Sequence, residues 1–166
     1  KEYAANLSLI KYINRFYNIG PIEKLTWSPL KKGDLIDLVA TSSTYAEARL
    51  VKIQELLGQH GFRVRTQFAA QKDDGLGHSN TDAIRLKQLI GALNAPDSKA
   101  VWGIRGGEGT SNFLTEMIAT QPPKIVKPVI GFSDITGVHM LINSKWNWPS
   151  IHGVLAEFNK EIDIIT

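Results

Sequence analysis

Ser111 closes the run Arg105-Gly106-Gly107-Glu108-Gly109-Thr110-Ser111, which follows the apolar stretch Ala100-Val101-Trp102-Gly103-Ile104 and precedes Asn112-Phe113-Leu114. A strand, a glycine turn and a helix start in that order can lift a hydroxyl off the backbone, because glycine takes positive φ and lets a ligand approach closely. The same turn can instead hold a phosphate or carboxylate on its backbone amides. The dinucleotide fingerprint fits poorly, since Asn112 stands where its third glycine belongs, and no Gly-Lys-Ser/Thr of a phosphate loop lies nearby. The hydrolase elbow fits in part: Gly109-Thr110-Ser111 provides Gly-x-Ser, but Phe113 replaces the last glycine. The residues alone leave a nucleophile, an anion site and a plain structural turn open.

The elements that must position this turn are legible as alternating strand and helix signals from Lys32 onward. Leu35, Ile36, Leu38, Val39 and Ala40 form a near-continuous apolar run ending in Thr41-Ser42-Ser43-Thr44, the pattern of a strand buried on both faces. A helix with Ala46, Leu50, Ile53 and Leu57 on one face ends before Gly61, and a short strand follows at Phe62 to Thr66. A polar loop through Lys72-Asp73-Asp74-Gly75-Leu76-Gly77 leads to a second helix, capped by Ser79 or Thr81, with Ile84, Leu86, Leu89, Ile90 and Leu93 as its core face. Beyond the Trp102 strand, Phe113, Leu114, Met117 and Ile118 fit a helix. Pro128 to Phe132 reads as another buried strand, and Ser133-Asp134 caps a helix over Ile135 to Asn143. Strands alternating with amphipathic helices imply a three-layer α/β fold with a mostly parallel sheet and right-handed crossovers. Ligands on such sheets bind at the carboxyl ends of the strands, where Thr41 to Ser43, Gly106 to Ser111, Ser133-Asp134 and His152-Gly153 all fall.

Composition bounds the partners. The chain has 166 residues, 43% of them hydrophobic, and no cysteine. One sizeable core is expected, disulfides and thiolate metal sites are excluded, no metal or cofactor is called for, and the redox compartment stays open. The apolar runs fall short of the roughly 18 residues a membrane helix needs. The net charge of +3 comes from the start of the chain. Residues 1 to 33 carry six Lys/Arg against two acids, and residues 34 to 166 carry 13 against 14, so nucleic acid is not favoured as a partner. Tyr3, Leu7, Ile10, Ile13, Phe16 and Tyr17 recur at helical spacing with Lys11 and Arg15 between them, which reads as a basic amphipathic leader helix over residues 1–31. Such a helix packs on its own domain or lies on an anionic surface.

Four stretches together resemble the LD-carboxypeptidases, a serine peptidase family that includes the microcin C immunity peptidases. Arg105 to Ser111 is similar to the family's Arg-Gly-Gly-Tyr-Gly-x-Ser. Gly33-Asp34 with the strand to Ala40-Thr41-Ser42-Ser43 resembles its opening Gly-Asp, strand and Ala-Pro-Ser. Gly131-Phe132-Ser133-Asp134-Ile135-Thr136 resembles its Gly-Tyr-Ser-Asp-x-Thr, and His152-Gly153 its His-Gly-Pro. The matches fall in order between about Lys32 and Leu155, the family's N-terminal half. The resemblance implies a Rossmann- or flavodoxin-like domain over residues 32–166, with the family's C-terminal domain absent from this chain.

By the same resemblance the activity is hydrolysis of the amide between an L-centre and a terminal D-alanine of murein tetrapeptides, in cell-wall recycling. Ser111 matches the nucleophile position. A serine hydroxyl requires a base and an acid that orients it; in the family these are a histidine and a glutamate of the C-terminal domain, so this chain alone is expected to be inactive. The alternatives are a non-catalytic muropeptide- or anion-binding module and a peptide–nucleotide amidase of the microcin type. Of the histidines, His60 reads as a solvated helix end, His78 as part of a mobile polar loop, His139 as a packed or surface residue, and His152 as the one worth testing as a local base. The amides of Gly107 and Asn112 are the candidate oxyanion hole. Substrate contacts are assigned to Arg105, whose fork suits a carboxylate, and to Glu108, Ser42, Ser133, Asp134 and His152; Ser133, Asp134 and Thr136 also read as a cap and turn brace. Glu108 stands where the family has tyrosine, which favours a substrate with a free amine, and Thr41 and Val154 replace two prolines. The expected partners are a muropeptide and the family's second domain, a homodimer is left open, and the expected location is the cytoplasm, or the periplasm if a signal has been removed.

Overall fold

The computed structural model describes residues 28–153. The leader helix expected over residues 1–31 therefore lies almost wholly outside the described residues, as does Val154. Between these limits the strands are β1 (Leu35–Val39), β2 (Arg63–Arg65), β3 (Ala100–Gly103), β4 (Val129–Gly131) and β5 (Ser150–His152). The helices are α1 (Glu47–Gln59), α2 (Asp82–Asn94), α3 (Leu114–Ile118) and α4 (Thr136–Trp146).

All strand pairs are parallel, in the order β2-β1-β3-β4-β5. Ile36 lies opposite Ala100 and Val39 opposite Gly103, which sets β1 and β3 side by side at the centre. This is the flavodoxin-like order, in which the chain reverses direction across the sheet between β1 and β3. The connections after these two strands diverge to opposite faces and leave a crevice between them. That crevice holds the Thr41–Thr44 loop and the Gly106–Ser111 turn.

Each face has its own core. On one, Leu50, Ile53 and Leu57 of α1 pack on Ile36, Leu38, Ala100 and Ile130. On the other, Leu89 and Leu93 of α2, Phe113, Met117 of α3, and Val138, Leu141 and Ile142 of α4 cover Val39, Val101 and Val129. The central strands are mostly apolar because both faces are buried; the buried Asp37 of β1 is met by Arg65 of the edge strand β2, whose Nε donates to its carboxylate at 2.5 Å. No helix among the described residues is long and apolar enough to cross a membrane.

Several residues depart from the expected pattern. Ala46 is the exposed residue before α1 rather than part of its apolar face. Ile84 and Ile118 are exposed, at 43% and 52%. The buried face of α2 is turned by one position because Arg85, not Ile84, points inward. A buried guanidinium is tolerable only when its donors are satisfied. Here Nε donates to the Asn80 carbonyl at 2.9 Å, Nη1 to the Thr41 carbonyl at 2.5 Å and Nη2 to Asp82, over the ring of Phe113 at 5.3 Å. Ser79 does not cap α2; it is buried and donates to the Ala40 carbonyl at 2.6 Å. Thr81 holds the cap position without a side-chain bond. The segment after the glycine turn starts as a 3-10 turn over Thr110–Phe113, and Ser133–Ile135 forms another before α4.

At the opposite end of the sheet, Lys127 is buried with its ammonium on the Ala95 carbonyl at 2.5 Å, Ser98 Oγ at 2.8 Å and the Ala92 carbonyl at 3.1 Å. Burial pushes its pKa down to about 8. These bonds close the carboxyl end of α2 and fix the entry to β3. Lys127→Met leaves the carbonyls of Ala92 and Ala95 without that donor, and urea denaturation of the variant is expected to show a loss of about 2 kcal/mol. A variant as stable as the parent would contradict this role.

Candidate active site

Ile104 donates to the Val39 carbonyl at 3.0 Å, and the chain then leaves the sheet into the glycine turn. Gly107 and Gly109 have φ of +115° and +113°, a left-handed region that L side chains rarely adopt. Neighbours also press on both. A Cβ at Gly107 would stand 2.1 Å from Ser43 Oγ, and one at Gly109 would stand 2.6 Å from Arg85 Nη1 and 2.8 Å from His78 Cδ2. The loops after β1 and β2 thus seat the turn after β3.

From the other side the turn is held by Asp134. Its Oδ2 accepts the Thr110 amide at 2.9 Å and the Thr110 hydroxyl at 2.5 Å. Thr110 is fully buried, and its hydroxyl oxygen lies 3.3 Å from Ser42 Oγ. Asp134 reaches this position because Ser133 turns the chain sharply with φ of +66°, and the Thr136 hydroxyl donates to the Ser133 carbonyl at 2.5 Å. With Thr110 clamped, the next residue, Ser111, is exposed. No described residue hydrogen-bonds its hydroxyl.

The remaining sequence-predicted residues fall at the carboxyl edge in different states. Ser42 is buried, with its hydroxyl between those of Thr41 at 3.4 Å and Thr110 at 3.3 Å, which makes it a brace under the turn. Arg105 is exposed and its Nη1 donates to the Thr44 carbonyl at 2.5 Å. Glu108 is exposed, with its amide 3.4 Å from Ser43 Oγ. The Asn112 amide donates to the Gly109 carbonyl at 3.2 Å, whereas the Gly107 amide takes no part in the hydrogen bonds of the turn. Among the described residues no group of three or more His, Cys, Asp or Glu could hold a metal.

The histidines separate by environment. His60 ends α1 at the far edge of the sheet, with Nδ1 on the Leu56 carbonyl at 2.9 Å. His139 is buried, with Nε2 on the Gly131 carbonyl at 3.1 Å; burial first, and then the neighbouring His152, holds its pKa below the usual imidazole value. His152 ends β5, its Nε2 lies 3.1 Å from the Thr136 hydroxyl, and its ring stands edge-on to Phe132 and His139. His78 was expected in a mobile loop, but it is 9% exposed and its Nδ1 lies 2.7 Å from Asp74 Oδ2. The loop is tied down by Asp73 and Asp74, which accept the amides of Gly75 and Leu76 at 2.8 Å each.

Sequence reasoning missed Arg85 and the Asp74–His78 pair, both of which touch Gly109. Signals for both exist: Asp82 lies three residues before Arg85, and Asp74 four before His78. Gly109→Ala should therefore do more than impose a left-handed alanine, which alone costs about 1–2 kcal/mol. Its methyl group displaces Arg85 and His78, and thermal melting is expected to fall by several degrees. Unchanged melting would show that the turn is not seated as described.

A family model described as the LD-carboxypeptidase N-terminal domain matches residues 36–153. The murein tetrapeptide carboxypeptidase of Pseudomonas aeruginosa is 31% identical over 143 residues, covering 82% of this chain and 43% of that protein. Among solved structures, the microcin C7 self immunity protein MccF superposes with a TM-score of 0.67 at 23% identity, over 80% of this chain and 40% of that one. A muramoyltetrapeptide carboxypeptidase from Oxalobacter formigenes gives 0.64 at 20% identity, over 80% and 45%. The chain thus spans under half the length of each of these relatives. With the fold, the ordered motifs and the family match in agreement, the chain belongs to the LD-carboxypeptidase family and carries its N-terminal domain.

Proposed function

We propose that this chain carries the nucleophile of a serine LD-carboxypeptidase that removes terminal D-alanine from murein tetrapeptides, with Ser111 as the attacking residue. One observation carries the reading: of the two adjacent hydroxyls in the turn, Thr110 is locked on Asp134, and Ser111 is exposed without a partner among the described residues. In this mechanism Ser111 Oγ attacks the scissile carbonyl and gives its proton to a base. The tetrahedral oxyanion takes the Gly107 N–H, collapse expels the D-alanine amine with the proton returned, and water then cleaves the acyl-enzyme. The Asn112 amide already donates to Gly109, so Gly107 is the stronger of the two oxyanion candidates.

No described histidine bonds the Ser111 hydroxyl, which supports the family arrangement in which a second domain provides the imidazole and the carboxylate that orients it. Arg105 braces the Thr44 carbonyl in this scheme. The exposed carboxylate of Glu108 lies three residues before Ser111 and suits the free amine of a diaminopimelate side chain.

D-alanine release from a murein tetrapeptide, measured on this chain and on a longer polypeptide that joins it to the family's second domain, tests the reading. Release is expected in the longer form and to fall by about a thousandfold or more with Ser111→Ala. Binding without release in either form would favour a non-catalytic module, and cleavage of peptide–nucleotide conjugates in place of the tetrapeptide would favour the amidase. Glu108→Gln is expected to lower kcat/KM about fivefold for the free-amine substrate, the size of an exposed ion pair. A substrate acetylated on that amine should be unaffected, and equal losses on both would remove Glu108 from substrate selection.

A further inference from the structure

The Asp74–His78 pair sits outside the triad reading yet touches the serine turn directly. Asp74 Oδ2 lies 2.7 Å from His78 Nδ1, and Asp74 Oδ1 accepts the amides of Leu76 at 2.8 Å and His78 at 3.2 Å. Burial opposes ionisation of this carboxyl, but the imidazole and the two amides outweigh it and hold its pKa below the usual value. The pair is fixed to the loop after β1 as well, through a bridge between Ser43 and His78, the Thr44 amide on the Gly77 carbonyl at 2.9 Å and the Ser79 amide on the Ser42 carbonyl at 2.9 Å. His78 is therefore a preorganised side chain and not a loop residue free to swing.

Its Cδ2 stands 2.8 Å from the point where a Gly109 Cβ would lie, and in an imidazole Nε2 is bonded to Cδ2. Nε2 makes no hydrogen bond to a described residue, although His78 is 9% exposed. The enclosed polar atoms without a partner among the described residues are Gln88 Oε1 and His139 Nδ1, so Nε2 of His78 keeps an opening to solvent beside the turn that presents Ser111, where a ligand can reach it. Of the cations around the turn, Arg85 is buried and spends its guanidinium on Asn80, Thr41 and Asp82, whereas Arg105 is exposed and donates one N–H to the Thr44 carbonyl, which leaves room for a second contact to the same carboxylate. A carboxypeptidase must hold the terminal carboxylate of its substrate, and an imidazole that keeps its Nδ1 on an aspartate donates a hydrogen bond to such a group whenever Nε2 carries a proton.

We propose that His78, oriented by Asp74, binds the terminal carboxylate of the peptide whose scissile carbonyl faces Ser111. This rests on the serine-peptidase reading and extends it: His78 selects for a free carboxyl terminus, while Glu108 addresses an amine elsewhere in the peptide.

The test is equilibrium binding, by calorimetry, of a murein tetrapeptide and of its terminal carboxamide to the Ser111→Ala form of a polypeptide that joins this chain to the family's second domain. The acid is expected to bind about tenfold more tightly than the amide, a difference of about 1.4 kcal/mol. His78→Gln should reduce that preference to within about twofold while leaving carboxamide binding unchanged, which also reports that the variant is folded. Asp74→Asn, which keeps the imidazole but removes its orienting charge, should give an intermediate preference. If His78→Gln does not fold, Asp74→Asn decides alone. An unchanged preference in the deciding variant overturns the proposal, as does a parent that binds both peptides alike or neither. The serine reading is judged separately, by the loss of D-alanine release in Ser111→Ala, so the two fail independently.

Discussion

A single carboxylate ties the site together. Asp134, in the 3-10 turn after β4, accepts both the amide and the hydroxyl of Thr110, which starts the 3-10 turn after β3. Two neighbouring crossover connections are thereby joined through charge-assisted hydrogen bonds to a fully buried residue, where such bonds are strongest. The sheet alone fixes where β3 ends but not how the following turn is posed. With Thr110 held, the 3-10 turn that follows has little freedom, and Ser111 stands out from it.

The crevice in which this happens is a consequence of strand order. Because β1 and β3 are central neighbours whose connections leave on opposite faces, the Thr41–Thr44 loop and the glycine turn meet. Their contact is close enough that Gly107 lies against Ser43 and Gly109 against Arg85 and His78. Arg85 belongs as much to the site as to the core. Buried on α2 over the ring of Phe113, it links Asn80, Thr41 and Asp82, and so connects the loop after β1 to the start of α2 beneath the turn.

The architecture was legible in the sequence because buried parallel strands leave an unambiguous mark. Ala100–Gly103 and Val129–Gly131 are short apolar runs, Leu35–Val39 is one broken only by Asp37, and amphipathic segments lie between them. What was not legible depended on polar residues that look exposed. Arg85 reads as a surface residue of a helix and shifts the buried face by one position, exposing Ile84. Asp73, Asp74 and His78 read as a mobile loop, yet Asx bonds to the amides of Gly75 and Leu76 and the hydrogen bond between Asp74 and His78 hold it in place. Asp134 read as a cap and brace; it binds across to another connection, and no periodicity reports such a contact. The turn around Ser111 could be singled out from its glycines and the ordered motifs, but which neighbours seat it could not.

The central claim is that the braced glycine turn presents Ser111 as the reactive hydroxyl. The most direct measurement is mass-spectrometric mapping of the adduct left by a fluorophosphonate on a polypeptide that contains this chain together with the family's second domain. The account predicts one adduct, on Ser111, with Thr110, Ser42 and Ser133 unmodified. An adduct on any of those three, or none under conditions that label a known serine peptidase, would contradict it.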